Sequence, residues 1–175
     1  MKKFLQFAGL ISAVLAIAAF IFLLAGNALV YKTDSAQYFV AGTRALFGGK
    51  VQGLFGEVEY KPAVPALIAW ILIIVAVVIL VLGVVLPLLK VKALDKFATL
   101  LNLVAVVALI VAGVLLFFTK GAYNSANADK IAGATVTYFD DYNLAFAFVF
   151  AAILSLVAGV VAVLPTIMGL VEKKK

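Results

Sequence analysis

Apolar residues gather into four long blocks along this chain, over 4–25, 62–89, 94–119 and 142–170, with no Asp, Glu, Lys or Arg inside them beyond Asp95 and Lys96 at the very start of the third. Each reaches the roughly 20 residues that a helix needs to cross a hydrocarbon core. The pattern predicts an all-α membrane protein, one integral unit over 1–175, built as a bundle of four transmembrane helices. What lies between is an outer connector at 26–61, an inner turn at 90–93, a second outer connector at 120–141 and a tail at 171–175. So short an inner turn makes the second and third helices antiparallel neighbours.

The two outer connectors are patterned as well. Residues 38–47 and 50–60 are β-prone runs separated by Gly48-Gly49, a pair able to take positive φ at both turn positions. This predicts a hairpin over 38–60. At its end Leu54, Val58 and Tyr60 share one face and Glu57 and Glu59 the other. A helical turn over Ser35–Arg44 is the competing reading of its start. In the second connector, Gly121–Lys130 is polar and turn-like, and 131–139 (Ile-Ala-Gly-Ala-Thr-Val-Thr-Tyr-Phe) reads as a strand. A lone hairpin is marginal in water. The expectation is therefore a small extracellular antiparallel β-sheet, drawn from both outer connectors, over the ends of the bundle.

Charge supplies the orientation. Lys2, Lys3, Lys90, Lys92, Lys96, Lys173, Lys174 and Lys175, set against Asp95 and Glu172, carry the whole net charge of +6. All lie on the two termini, the inner turn and the first residues of the third block beside it, while the outer connectors balance to zero. Positive flanks stay cytoplasmic, so both termini are expected in the cytoplasm of a multi-pass plasma-membrane protein. Lys2-Lys3 before an apolar run, with Gly26-Asn27-Ala28 beyond it, has the look of a secretory signal. The run is about twice the usual length for that, so it is read as a retained first helix.

Within the helices, Ala8, Ser12 and Ala16 form a small-residue seam suited to close packing, inside the bundle or against a second copy. Asn102 is the one strongly polar residue of the third helix, and Ser155 and Gly159 sit one turn apart on the fourth. These are helix-packing candidates, with Asn102 as polar glue. Pro62 and Pro65 suit the first turn of the second helix. Asp140-Asp141 is placed to complement the dipole of the fourth.

The residue inventory narrows the chemistry. The chain has no Cys and no His, so thiolate and imidazole metal sites are not available to it. No ionisable residue within the helices offers a nucleophile, acid dyad or proton relay. Asp140, Asp141, Glu57 and Glu59 lack the dense spacing of a Ca²⁺ loop, and Gly48-Gly49-Lys50 is not a phosphate loop. No enzymatic activity, metal or cofactor is expected. The lysines flank apolar helices with no interleaved aromatics, which excludes nucleic acid as the natural partner.

Gly53-Leu54-Phe55 stands about twenty residues beyond Tyr31, at the end of the first helix. Claudin-like tetraspans carry Gly-Leu-Trp in a similar place. The whole plan resembles theirs: four helices, cytoplasmic ends, a long first and shorter second extracellular loop, and one sheet from both. The family's Cys pair after the triplet is missing here. What the resemblance implies is a shape more than an activity.

The function expected from these features is that of a non-enzymatic tetraspan: a scaffold, accessory subunit or self-assembling protein acting through its outer sheet. Its partners are the lipid bilayer and either a second copy or another membrane protein. The contact candidates are Leu46, Phe47, Gly48, Gly49, Lys50, Val51, Leu54 and Phe55. The alternative is an oligomeric channel or small transporter subunit, its pore lined by residues such as Asn102, Ser155 or Thr99.

Overall fold

A computed structural model of the chain describes residues 2–53, 56–85, 92–131 and 134–172. In order, the elements are α1 (Lys2–Ala25), β1 (Asn27–Lys32), β2 (Gln37–Ala41), α2 (Gly42–Phe47), β3 (Gly49–Gly53), β4 (Gly56–Tyr60) and α3 (Val64–Val85). There follow α4 (Lys92–Phe117), α5 (Thr119–Ala126), β5 (Asp129–Ile131), β6 (Ala134–Val136), β7 (Asn143–Leu144) and α6 (Phe146–Glu172). The helices α1, α3, α4 and α6 are each long and apolar enough to cross a membrane, the architecture of a multi-pass integral membrane protein.

Each long helix packs against two others, α1 and α4 both touching α3 and α6, so the four close into a ring. Alanine sets how near they come. Ala13, Ala16 and Ala19 of α1, Ala66, Ala69 and Ala76 of α3, Ala105 and Ala112 of α4, and Ala151, Ala158 and Ala162 of α6 are buried. Branched residues such as Val78, Val107 and Val160 point outward. In lipid, helices gain little by hiding apolar surface from one another, so tight van der Waals contact between small residues holds them.

The predicted packing residues find partners within the chain. Ala8, Ser12 and Ala16 are buried, and the Ser12 hydroxyl donates to the Ala158 carbonyl of α6 at 2.7 Å. The seam therefore joins the first helix to the last. Asn102 is half-buried and caps a notch at Gly83 of α3, where an added Cβ would lie 2.7 Å from its Oδ1. Gly159 lies against Ile110 of α4. Ser155, also buried, donates to Ala151 of its own helix at 2.9 Å and bonds no neighbour through that contact.

The connectors differ from their predicted form. A three-stranded antiparallel sheet does form, in the order β2-β1-β7; β2 falls in the predicted run that starts at Tyr38, whereas β1 precedes it and β7 lies in the predicted fourth helical block. β1 continues directly from α1 and pairs with β2 (Tyr31 opposite Tyr38) and with β7 (Leu29 opposite Leu144). Thr33 closes the β1–β2 turn, its hydroxyl accepting from the Ala36 N–H at 3.0 Å.

The expected hairpin about Gly48-Gly49 is replaced by a helix and a hinge. Ala45 and Leu46 are both fully buried. A strand would send these two neighbours to opposite faces, whereas α2 places both against the core. Gly42 opens that helix so close to α1 that a Cβ would meet the Leu23 carbonyl. Gly48, at φ 70°, ends it. The hairpin that does form pairs β3 with β4, Gly49 opposite Tyr60. Leu54 and Phe55, between these strands, lie outside the described residues.

Two further corrections follow in the second connector. Residues 119–126 are helical, not turn-like, because α5 turns Thr119 and Tyr123 inward one helical turn apart. The predicted strand over 131–139 is instead the tight β5–β6 pair. The fourth block is extended until 145, where the Ala145 N–H donates to the Ala28 carbonyl of β1 at 2.9 Å. The helix proper starts at Phe146, so Asp140 and Asp141 do not sit at its N-terminus. The predicted inner turn at 90–93 and the end of the second block fall largely on residues outside those described.

α4 approaches α6 tightly at Gly113, where a Cβ would lie 2.6 Å from Leu156 Cγ and 2.9 Å from the Ala152 carbonyl. Gly113→Ala should lower bundle stability by about 1–3 kcal/mol. Gly121→Ala in α5, which would meet nothing within 4 Å, should instead raise it by about 0.5 kcal/mol through helix propensity. Thermal melts of the two variants in one detergent check the opposite signs.

Candidate functional site

The polar chemistry of the described residues concentrates at the connector end of the bundle, and α5 organises it. Asn127, just past the end of α5, pairs with the backbone of Lys61. The Lys61 N–H donates to its Oδ1 at 2.7 Å, and its Nδ2 donates to the Lys61 carbonyl at 3.1 Å and to the Tyr123 carbonyl at 2.8 Å. Asn124 holds the other connector: its Oδ1 accepts from the Phe139 N–H at 2.9 Å, and its Nδ2 donates to the Asp140 carboxylate. Thr137 donates to the same carboxylate. One short helix thus pins the lead-in to α3 and the lead-in to α6.

Between these clamps runs a chain of rings. Tyr38 stacks on Tyr31 across the β1–β2 pair at 6.1 Å between centroids, and Tyr31 lies 5.5 Å from Tyr142. Tyr142 meets Phe139 at 5.1 Å, Phe139 meets Tyr123 at 4.9 Å, and Tyr123 stacks on Tyr60 at 6.5 Å. The Arg44 guanidinium of α2 sits 5.6 Å from the Tyr60 ring centre, within cation–π range. Phe139 and Tyr123 are buried, Tyr31, Tyr60, Tyr142 and Arg44 are half-buried, and Tyr38 is exposed. The series therefore runs from core to surface and draws on both connectors.

Burial pushes the Tyr123 phenol up to about 12, against a lowering effect of Arg44. Its hydroxyl, like Thr119 Oγ1 and Trp70 Nε1, is buried without a hydrogen-bond partner among the described residues. Burial also raises Tyr142, with Tyr60, Tyr38 and Tyr31 adding to the effect. The hydrogen bond to Asp129 raises Tyr138. At neutral pH these phenols are donors, not phenolates.

The predicted contact residues scatter. Leu46 is fully buried and belongs to the core, which removes it from any contact surface. Phe47 is half exposed but sits edge-on to Trp70 at 5.1 Å. Gly48, Gly49, Lys50 and Val51 form the hinge and the first arm of the β3–β4 hairpin, where Lys50 pairs with Glu57 at 3.2 Å. Among the described residues no three carboxylates gather in a metal-holding group.

The residues that do converge, Arg44, the tyrosines and the two asparagines, were not singled out from the sequence. Their one sequence-level signal is that the six tyrosines all fall between 31 and 142, outside the four membrane-spanning segments. No protein-family model matches the chain, and a search of curated proteins finds no match. The likeness to claudin-like tetraspans therefore rests on the four-helix architecture.

The unfolded phenol ionises near pH 10 and Tyr123 near 12. Below pH 10 both states keep the proton; between the two values the unfolded state sheds it first, so stability falls as pH rises. Alkaline titration should therefore loosen the connectors between about pH 10 and 12, and Tyr123→Phe should remove that component of the loss. At neutral pH Tyr123→Phe should cost almost nothing, because the hydroxyl it deletes is unpaired, whereas Asn124→Ala and Asn127→Ala should each cost about 1–3 kcal/mol. Melts of the detergent-solubilised variants across pH check both.

Proposed function

We propose that this protein is a non-enzymatic tetraspan that acts as a scaffold, accessory subunit or self-assembling unit, through the cap its connectors build. On this reading both termini are cytoplasmic, the cap faces outward from the plasma membrane, and the lysine-rich flanks anchor the inner side.

The observation that carries the reading is the edge strand β2. It lies at one margin of the three-stranded sheet, and Tyr38 and Phe39, on opposite faces of it, are 53% and 50% exposed. An exposed aromatic edge offers both backbone hydrogen bonds and apolar area to an incoming chain. The clamps on α5 support it further, since a surface held rigid loses less entropy on binding. The alanine-filled bundle interior favours this reading over a pore through a single copy.

Purification from native membrane in mild detergent should yield a complex larger than one chain, and Phe39→Asp should dissociate it. A chain that stays monomeric, with no partner after crosslinking, would remove the basis for the proposal. Reconstituted in liposomes, the protein should give no ion or solute flux above protein-free vesicles; robust single-copy flux would favour the channel alternative.

A further inference from the structure

We propose that the face formed by Tyr38, Tyr31, Tyr142, Tyr60 and Arg44 docks a polypeptide segment of a partner protein that presents a single carboxylate to Arg44. This rests on the reading of the cap as a contact surface and names the partner chemistry that the surface selects.

The composition of the face points to protein. Tyrosine and arginine are the side chains enriched where binding energy concentrates in protein interfaces, and lysine is depleted there. Here the rings form a continuous series from the exposed Tyr38 inward, with centroid spacings of 6.1 Å and 5.5 Å over its first two steps. Tyr31 and Tyr38 share the sheet face that carries the buried Leu29 and Val40 nearer the bundle. Tight packing at one end of that face holds the other end in place. Rings already ordered by their neighbours lose little freedom on binding.

The charge of the face points to a carboxylate. Arg44 is half-buried over Tyr60 and has no ion-pair partner among the described residues, where the ion pair that forms is Lys50 with Glu57. Two carboxylates that adjoin the ring series are otherwise placed. Asp140 is engaged by Asn124 and Thr137. Glu59, adjacent to Tyr60 on β4, projects from the opposite face of that strand and stands across from Lys50. The ring contact with Tyr60 fixes the guanidinium but leaves its planar fork of donors for an acceptor, and a carboxylate matches that fork with two parallel bonds. Asp141, exposed beside Tyr142, disfavours a dense acidic run. The fitting segment therefore carries one acid in an apolar or aromatic frame.

The test uses the full chain in phosphatidylcholine nanodiscs, panned with a displayed library of random dodecapeptides. Peptides displaced by the Tyr38→Asp substitution are taken as cap binders, and the best is synthesised with its acid intact and as the Glu→Gln or Asp→Asn form. The expected result is a consensus with one acidic position. Affinity should fall roughly tenfold or more for Arg44→Gln, and likewise for the neutralised peptide, with little further loss when the two changes are combined. Arg44→Lys should recover part of the binding. If Arg44→Gln fails to fold, the neutralised peptide against the unmodified protein carries the same comparison. Cap binders without any dependence on an acid overturn the role of Arg44 while leaving the contact surface standing. A failure to enrich any cap binder overturns both readings. Arg44-dependent binding of phosphatidylglycerol nanodisc lipid, with no acidic consensus among peptides, assigns the site to lipid and overturns the proposal.

Discussion

Two asparagine side chains on one short stretch of chain hold the connector end of this protein together. Asn127 bonds the backbone of Lys61 and Asn124 the backbone of Phe139, residues that precede α3 and α6 in the chain. The first bond crosses from one connector to the other, and the second closes the second connector on itself. Asn127 bonds main chain alone, which fixes position whatever residue the partner carries, while Asn124 adds the Asp140 carboxylate to its backbone bond. The ring series and the placement of Arg44 over Tyr60 rest on this arrangement, since Tyr60 adjoins the clamped Lys61 and Tyr142 lies three residues past the clamped Phe139.

The four helices were legible because they answer to one rule, about twenty apolar residues without charge. The small-residue seam was legible for the same kind of reason. Ala8, Ser12 and Ala16 recur at helical spacing, and a closed ring gives them a partner in α6. The connectors were harder, because their conformation is settled by burial and not by local preference. Residues 38–47 have strand-like composition, yet only a helix buries Ala45 and Leu46 together. Residues 121–130 are polar enough to pass for a turn, yet a helix over 119–126 is what turns Thr119 and Tyr123 inward together. An antiparallel sheet is expected and present, but β1, running on from α1, and β7, leading into α6, lie where the apolar pattern predicts no strand.

Arg44 illustrates a different limit. Nothing near it in sequence marks it out: it follows Thr43 and precedes Ala45 and Leu46. Its interest comes from Tyr60, sixteen positions away and brought over it by a separate hairpin. The same holds for the tyrosines, whose spacing carries no motif until the sheet register sets Tyr31 against Tyr38. A surface assembled from single residues of several elements leaves no trace in any one of them. The inventory of absent groups was far easier to read than the assembly of present ones.

The bond from Ser12 to Ala158 joins residues separated by 146 positions, and the β1–β7 pairing has a similar reach. Both contacts tie the first helical segment to the last. While the chain is being synthesised, α1 is made well before α6 exists, so its alanine-lined face and the free side of β1 wait without their native neighbours. The ring can close only once α6 has emerged, and until then the first hairpin stands as a half-built edge. For this protein, completing the bundle and completing the cap are one event in time.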